Sequence, residues 1–114
     1  MNPEIKAKWI EALRSGKYEQ GQGKLNKNGK FCCLGVLCEV MNYGKLPSTY
    51  SGANSYKKEN DTYESENHLT EGMRLELGID SSQEHTLILM NDGKRRVENK
   101  KSFNEIADWV EKNL

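Results

Sequence analysis

The chain carries one long apolar run, Phe31-Cys32-Cys33-Leu34-Gly35-Val36-Leu37-Cys38, continuing through Val40 to Met41. Elsewhere apolar positions come in shorter clusters and are periodic. From about Cys33 to Asn42 the run predicts a helix. Leu34, Leu37 or Cys38, and Met41 share one face, and Cys33, Val36 and Val40 cover much of the rest. A helix apolar nearly all round is a buried one. Gly35 works against helix formation, and Tyr43-Gly44 ends the segment.

Upstream, Ile5, Trp9 and Leu13 recur at helical spacing. They predict a helix over 3–15, with Asn2 as its cap, Pro3 in its first turn and Gly16 as a left-handed stop. Trp9 belongs to the core on this reading. Asn28-Gly29 between Lys27 and Lys30 signals a type I′ hairpin with strands near 22–27 and 30–33. The second strand delivers the chain into the apolar run.

Residues 44–66 are rich in Ser, Thr, Asn, Gly, Tyr and charge. They predict a long polar loop, an insertion or a lid. Its tyrosines, Tyr50, Tyr56 and Tyr63, are either contact residues or pins that hold the loop to the body. Thr70 caps a short helix that offers Met73, Leu75 and Leu77 for packing. Gly78 ends it and Ile79 closes over the end. Ser81-Ser82 caps a further helix through Met90, with a hairpin turning at Asp92-Gly93 as the alternative. Lys94 to Lys101 reads as a basic loop. Ser102-Phe103-Asn104-Glu105 is a capping box that opens a helix over 103–113, with Phe103, Ile106, Ala107, Val110 and Leu114 inward. The expected fold class is α+β, mainly helical: one small domain over 1–114, with a β-hairpin leading into a buried central helix flanked by N- and C-terminal helices.

Composition adds three constraints. Only 35% of the 114 residues are apolar and 30% are charged, which leaves one modest core burying roughly two-thirds of the unfolded surface. Net charge is zero, so the molecule as a whole is not drawn to nucleic acid or to a membrane surface. Residues 1–57, however, carry nine Lys/Arg and four Asp/Glu, and residues 58–114 carry eight and thirteen. The halves differ by sign, near +5 and −5. They either attract one another, within the fold or in a head-to-tail oligomer, or leave a basic site on the first half. The absence of a long apolar segment and of a signal-peptide pattern, together with three cysteines, an odd count that cannot pair fully within one chain, predicts a cytoplasmic protein.

Candidate chemistry is sparse. Cys32, Cys33 and Cys38 lack C-x-x-C spacing, and His68 and His85 are distant in sequence, so a core role is favoured over a metal site. A thiol inside an apolar run has a raised pKa, which opposes nucleophilic catalysis. No cofactor and no catalytic residue is assigned, and a non-enzyme is favoured. Lys17, Lys24, Lys27 and Lys30 cluster around the hairpin. Such a local patch suits a compact anion better than a long polyanion, so strong nucleic-acid binding is not expected. Beside it, Gln20-Gly21-Gln22-Gly23-Lys24 brings backbone N–H groups near the surface. The alternative reading of the glycines is a bend or bulge in an edge strand. The candidate ligand site is Arg14 to clamp phosphate, Tyr18 to stack a base, backbone N–H groups of Gln20, Gly21, Gln22 and Gly23, and Lys24 for charge.

Four stretches resemble a family of small proteins encoded by bacteriophages and prophages. They are Trp9-Ile10-Glu11-Ala12-Leu13-Arg14-Ser15-Gly16-Lys17-Tyr18-Glu19-Gln20-Gly21-Gln22-Gly23-Lys24-Leu25, then Phe31 to Cys38, Met90-Asn91-Asp92, and Ser102 to Glu111. The resemblance implies a phage origin and an accessory, non-virion role. It supplies no catalytic residues. By analogy with other small phage proteins, the expected function is counter-defence: sequestering a nucleotide-derived immune signal, a cyclic dinucleotide or an ADP-ribose derivative, without turnover. A homo-oligomer is expected. The alternatives are a protein–protein inhibitor of a host target, using 44–66 or the acidic second half, and a small enzyme that degrades such a signal.

Overall fold

The computed structural model describes residues 1–48, 51–93 and 100–114. Helix α1 runs Pro3–Arg14. The Asn2 side chain accepts from the Glu4 and Ile5 N–H groups at 2.8 and 3.2 Å, and Gly16 follows at φ +76°. Trp9 is fully buried and its indole N–H donates to the Cys33 carbonyl at 3.0 Å, which ties α1 to the apolar run.

Strands β1 (Glu19–Gln20), β2 (Asn26–Lys27) and β3 (Lys30–Phe31) follow. The expected hairpin forms at Asn28-Gly29, both with positive φ, but only two residues on each side pair as strand. β1 is an addition to the expectation. It lies parallel to β3, and the Gly21 N–H extends the pairing to the Phe31 carbonyl at 2.7 Å.

Helix α2 spans Cys33–Val40, two residues shorter than expected, and Asn42 at φ +56° turns the chain out of it. Cys33 to Cys38 are all buried, and Leu34, Val36, Leu37 and Cys38 have no exposed surface. The run is therefore the central buried element, and the cysteines sit in the core as expected. Cys32 caps the helix, its sulfur accepting from the Gly35 N–H at 3.4 Å.

Residues 44–66 are not a loop. They hold β4 (Gly44–Pro47) and β5 (Ala53–Lys57), a second hairpin that joins β2 to complete a five-stranded sheet of order β1-β3-β2-β5-β4. The segment is tied in because Tyr56 is fully buried. Its hydroxyl donates to Glu39 at 2.6 Å and accepts from the Asn26 amide at 3.2 Å. The other buried β5 residue, Ala53, lies three positions away on the opposite face, so the strand shows no alternation in the sequence. Tyr63 is 78% exposed; Tyr50 falls outside the described residues.

Helices α3 (Glu71–Leu77), α4 (Ser81–Asp92) and α5 (Phe103–Asn113) close the core. Thr70 caps α3, and Gly78 ends it at φ +69°. Leu75 does not pack as expected but is 77% exposed. The 81–90 segment is helical rather than a hairpin, and its cap is Asp80, not Ser81 or Ser82. The Asp80 carboxylate accepts from the Gln83 N–H while the Gln83 side chain accepts from the Asp80 N–H. The Ser102–Glu105 capping box forms as read. Of the basic loop at Lys94 to Lys101, residues 94–99 fall outside the described residues. The result is an α+β, mainly helical single domain. No helix among the described residues is long and apolar enough to cross a membrane.

The buried thiols set an alkaline limit on this fold. Burial pushes Cys32 up to about 12 and holds Cys33 and Cys38 well above their ordinary range near 9. Folded, these thiols stay protonated; unfolded, they ionise near pH 9. The thiols' contribution to stability is thus fully present below about pH 9 and is lost as pH rises through their raised folded-state values. Tyr43 and Tyr56, raised by burial, add to the slope above pH 10. Urea midpoints measured from pH 8 to 11 are expected to be flat and then to drop, with a shallower drop in Cys33→Ala. A midpoint that does not move would contradict this account.

Candidate functional site

Asn91, fully buried near the end of α4, draws three segments together. Its Oδ1 accepts from the Gln20 side-chain amide at 3.0 Å and from the Cys33 N–H at 3.1 Å. Its Nδ2 donates to the Gly21 carbonyl at 2.8 Å and to Asp92 Oδ1 at 3.0 Å. Asp92 in turn accepts from the Gly23 N–H at 3.1 Å. The Gln-Gly-x-Gly stretch, the start of α2 and the Asn-Asp pair therefore form one bonded cluster. Gln20 also donates to the Lys101 carbonyl at 2.9 Å, which brings in the approach to α5.

This arrangement redistributes the expected ligand residues. Arg14 does not reach the glycine loop. α1 packs against α5, and Arg14 pairs there with Asp108 at 2.6 Å and Glu111 at 3.3 Å. Hydrogen bonding to Asp108 and then Glu111 keeps the guanidinium firmly protonated, its charge answered within the chain. Tyr18 packs edge-on against Phe31, ring centroids 5.1 Å apart, and borders a separate depression with Lys8, Lys17 and Val40. The Gly21 and Gly23 N–H groups are not open donors either, since they serve Phe31 and Asp92. The glycines have the structural role instead. A Cβ on Gly21 would lie 2.8 Å from the Lys30 Cβ, so glycine lets the Lys30 stem cross the loop.

Gln20, Gly21, Gln22 and Lys24 do meet in one place. They line an open cleft of about 330 Å³ whose other wall is Lys27, Asn28 and Lys30. Lys27 and Lys30 are directly opposed across the β2–β3 hairpin. Like charges so placed repel. Glu19 approaches Lys30 at 3.8 Å, and Lys24 pairs with Glu66 at 2.9 Å. Lys27 makes no ion pair among the described residues. The cleft thus holds three cations, one of them unanswered. Lys27 and Lys30 were visible in the sequence as part of the lysine cluster, but only strand pairing places them on the cleft rather than on the solvated turn.

The thiols contribute no nucleophile to any of these surfaces. Each is buried and protonated at neutral pH. Among the described residues no group of three or more His, Cys, Asp or Glu side chains is placed to hold a metal ion.

Fold and cleft together define a small α+β domain with a lysine-walled depression on its sheet. The chain belongs to the family described as a domain of unknown function (DUF8296), whose model matches residues 1–73. That stretch holds α1, all five strands, α2 and the whole cleft wall from Gln20 to Lys30; Asn91 lies beyond it. No curated protein and no solved structure matches the chain.

Proposed function

We propose that the protein binds a compact anionic small molecule in the Gln20–Lys30 cleft and holds it without turnover. The observation that carries this reading is the opposed Lys27–Lys30 pair beside Lys24 on an open cleft. An anion between two repelling lysines relieves the repulsion and gains charge-assisted hydrogen bonds. Exposed Gln22 adds polar atoms suited to sugar or base. With the likeness to phage-encoded proteins, the ligand class is a nucleotide-derived immune signal in the host cytosol, and the role is counter-defence by sequestration.

Titration calorimetry against cyclic dinucleotides and ADP-ribose derivatives tests this directly. Binding is expected, with the ligand recovered unchanged after denaturing the protein. Lys27→Ala and Lys30→Ala are each expected to weaken it about tenfold, the equivalent of one charge-assisted contact. Arg14→Ala is expected to leave affinity unchanged, since that side chain is spent on α5. No heat at concentrations on the order of tens of micromolar would end the proposal, and a converted ligand would replace sequestration with catalysis.

A further inference from the structure

We infer that the groove between residues 60–65 and α3 docks the outer face of the sheet of a second copy of this chain. The groove, about 560 Å³, is bordered by the two most exposed large apolar side chains among the described residues, Tyr63 at 78% and Leu75 at 77%. Its lining includes Asp61, Glu64 and Glu71 and no Lys or Arg. Asp61 is used internally, accepting from Thr70 and from the Lys58 N–H. Glu64 and Glu71 make no ion pair among the described residues. A Cβ on Gly72 would lie 2.3 Å from Asp61, so the glycine keeps the groove floor low.

The complementary surface is on the same molecule. Strand pairing sets Leu46 opposite Ser55 and Gly44 opposite Lys57, so Leu46 and Lys57 share a face of the sheet. Ala53, opposite Lys27, continues that face, and Lys30 extends it. The face carries Lys27, Lys30 and Lys57, exposed Leu46 at 49%, and one carboxylate, Glu19. Core-facing Tyr56 and Asn26 lie on the other side. An acidic groove edged by two exposed apolar side chains and a basic sheet face with exposed Leu46 are complementary in charge, and each offers apolar surface to the other. Zero net charge removes the general repulsion between copies. A second copy is thus the occupant for which both halves of the contact are present.

Sedimentation velocity at low salt, without added anion, tests the contact at concentrations up to the order of 100 μM. The sedimentation coefficient is expected to rise with concentration and to fall back as salt screens the charges. Leu75→Ser, at a surface position that leaves the fold intact by circular dichroism, is expected to weaken association about tenfold, as loss of one apolar contact does. Glu71→Lys and Lys57→Glu should each weaken it, and an equal mixture of the two should associate better than either alone. A protein that stays monomeric, that ignores Leu75→Ser, or that shows no recovery in the mixture overturns the inference. The docking face shares Lys27 and Lys30 with the Gln20–Lys30 cleft, but Leu75, Glu71 and Lys57 lie outside that cleft, so a failure of association leaves the anion-binding reading to its own test.

Discussion

Gly35→Ala is expected to destabilise the protein by roughly 3–5 kcal/mol, a large part of the 5–15 kcal/mol that holds a domain of this kind together. In an ordinary helix the same change is favourable by about 1 kcal/mol, because alanine is the better helix former. Here the sign reverses. An added Cβ would sit 1.7 Å from the Leu25 carbonyl oxygen and 2.6 Å from its carbon. Neither partner can retreat cheaply. The Leu25 side chain is fully buried, its N–H donates to Glu66 at 2.8 Å, and its carbonyl accepts from Cys32 at 3.3 Å. Moving α2 away instead breaks the indole contact of Trp9 with Cys33. The thermal midpoint should fall by about 10–20 °C relative to wild type. A variant as stable as the parent, or one stabilised by helix propensity, would show that the strand and the helix do not meet this closely.

The same glycine shows what the sequence could and could not convey. Periodicity and capping chemistry are local, and they located α1, α2, α3 and α5 to within two residues. Gly35 counted as a blemish in the apolar run because its reason is not local: a backbone ten residues earlier rests against it. β5 was hidden for a related cause. Its buried residues, Ala53 and Tyr56, face opposite sides, and the residues between them are Asn and Ser. β1 needs a partner eleven residues away to exist at all. The candidate site divided along the same line. Gln20 to Lys24 stayed together because they are consecutive. Arg14 and Tyr18 were added by proximity in sequence, whereas a helix and a tight turn carried them to α5 and to Phe31. Lys27 and Lys30 were recognised as charge, but their opposition depends on strand register.

Asn91→Ala is expected to cost about 2–4 kcal/mol and to weaken anion binding together with stability, because one side chain closes four hydrogen bonds in a dry place. Its removal leaves the Cys33 N–H, at the first turn of the central helix, without its acceptor, and the Gly21 carbonyl without its donor. Filling the volume does not help, so Asn91→Leu should be no better than alanine. Asn91→Asp separates the two halves of the interaction. The new carboxylate still accepts from Cys33 and Gln20, but it now faces the Gly21 carbonyl and Asp92 with no proton to offer. Its stability should therefore be poor at neutral pH and improve as pH falls and the added carboxyl protonates. Amide exchange gives the local readout. Gly21, Gly23 and Cys33 should lose protection in the alanine and leucine variants before the rest of the core does, whereas in the aspartate variant at neutral pH Gly21 and Gly23 should lose it and Cys33, which keeps its acceptor, should not. If Asn91 were only a well-packed core residue, exchange would rise uniformly and the aspartate would show no pH dependence of its own. If it is the brace described above, the Gln20–Gly23 wall of the cleft loosens first. The affinity for an anion between Lys27 and Lys30 then falls, although neither lysine has been touched.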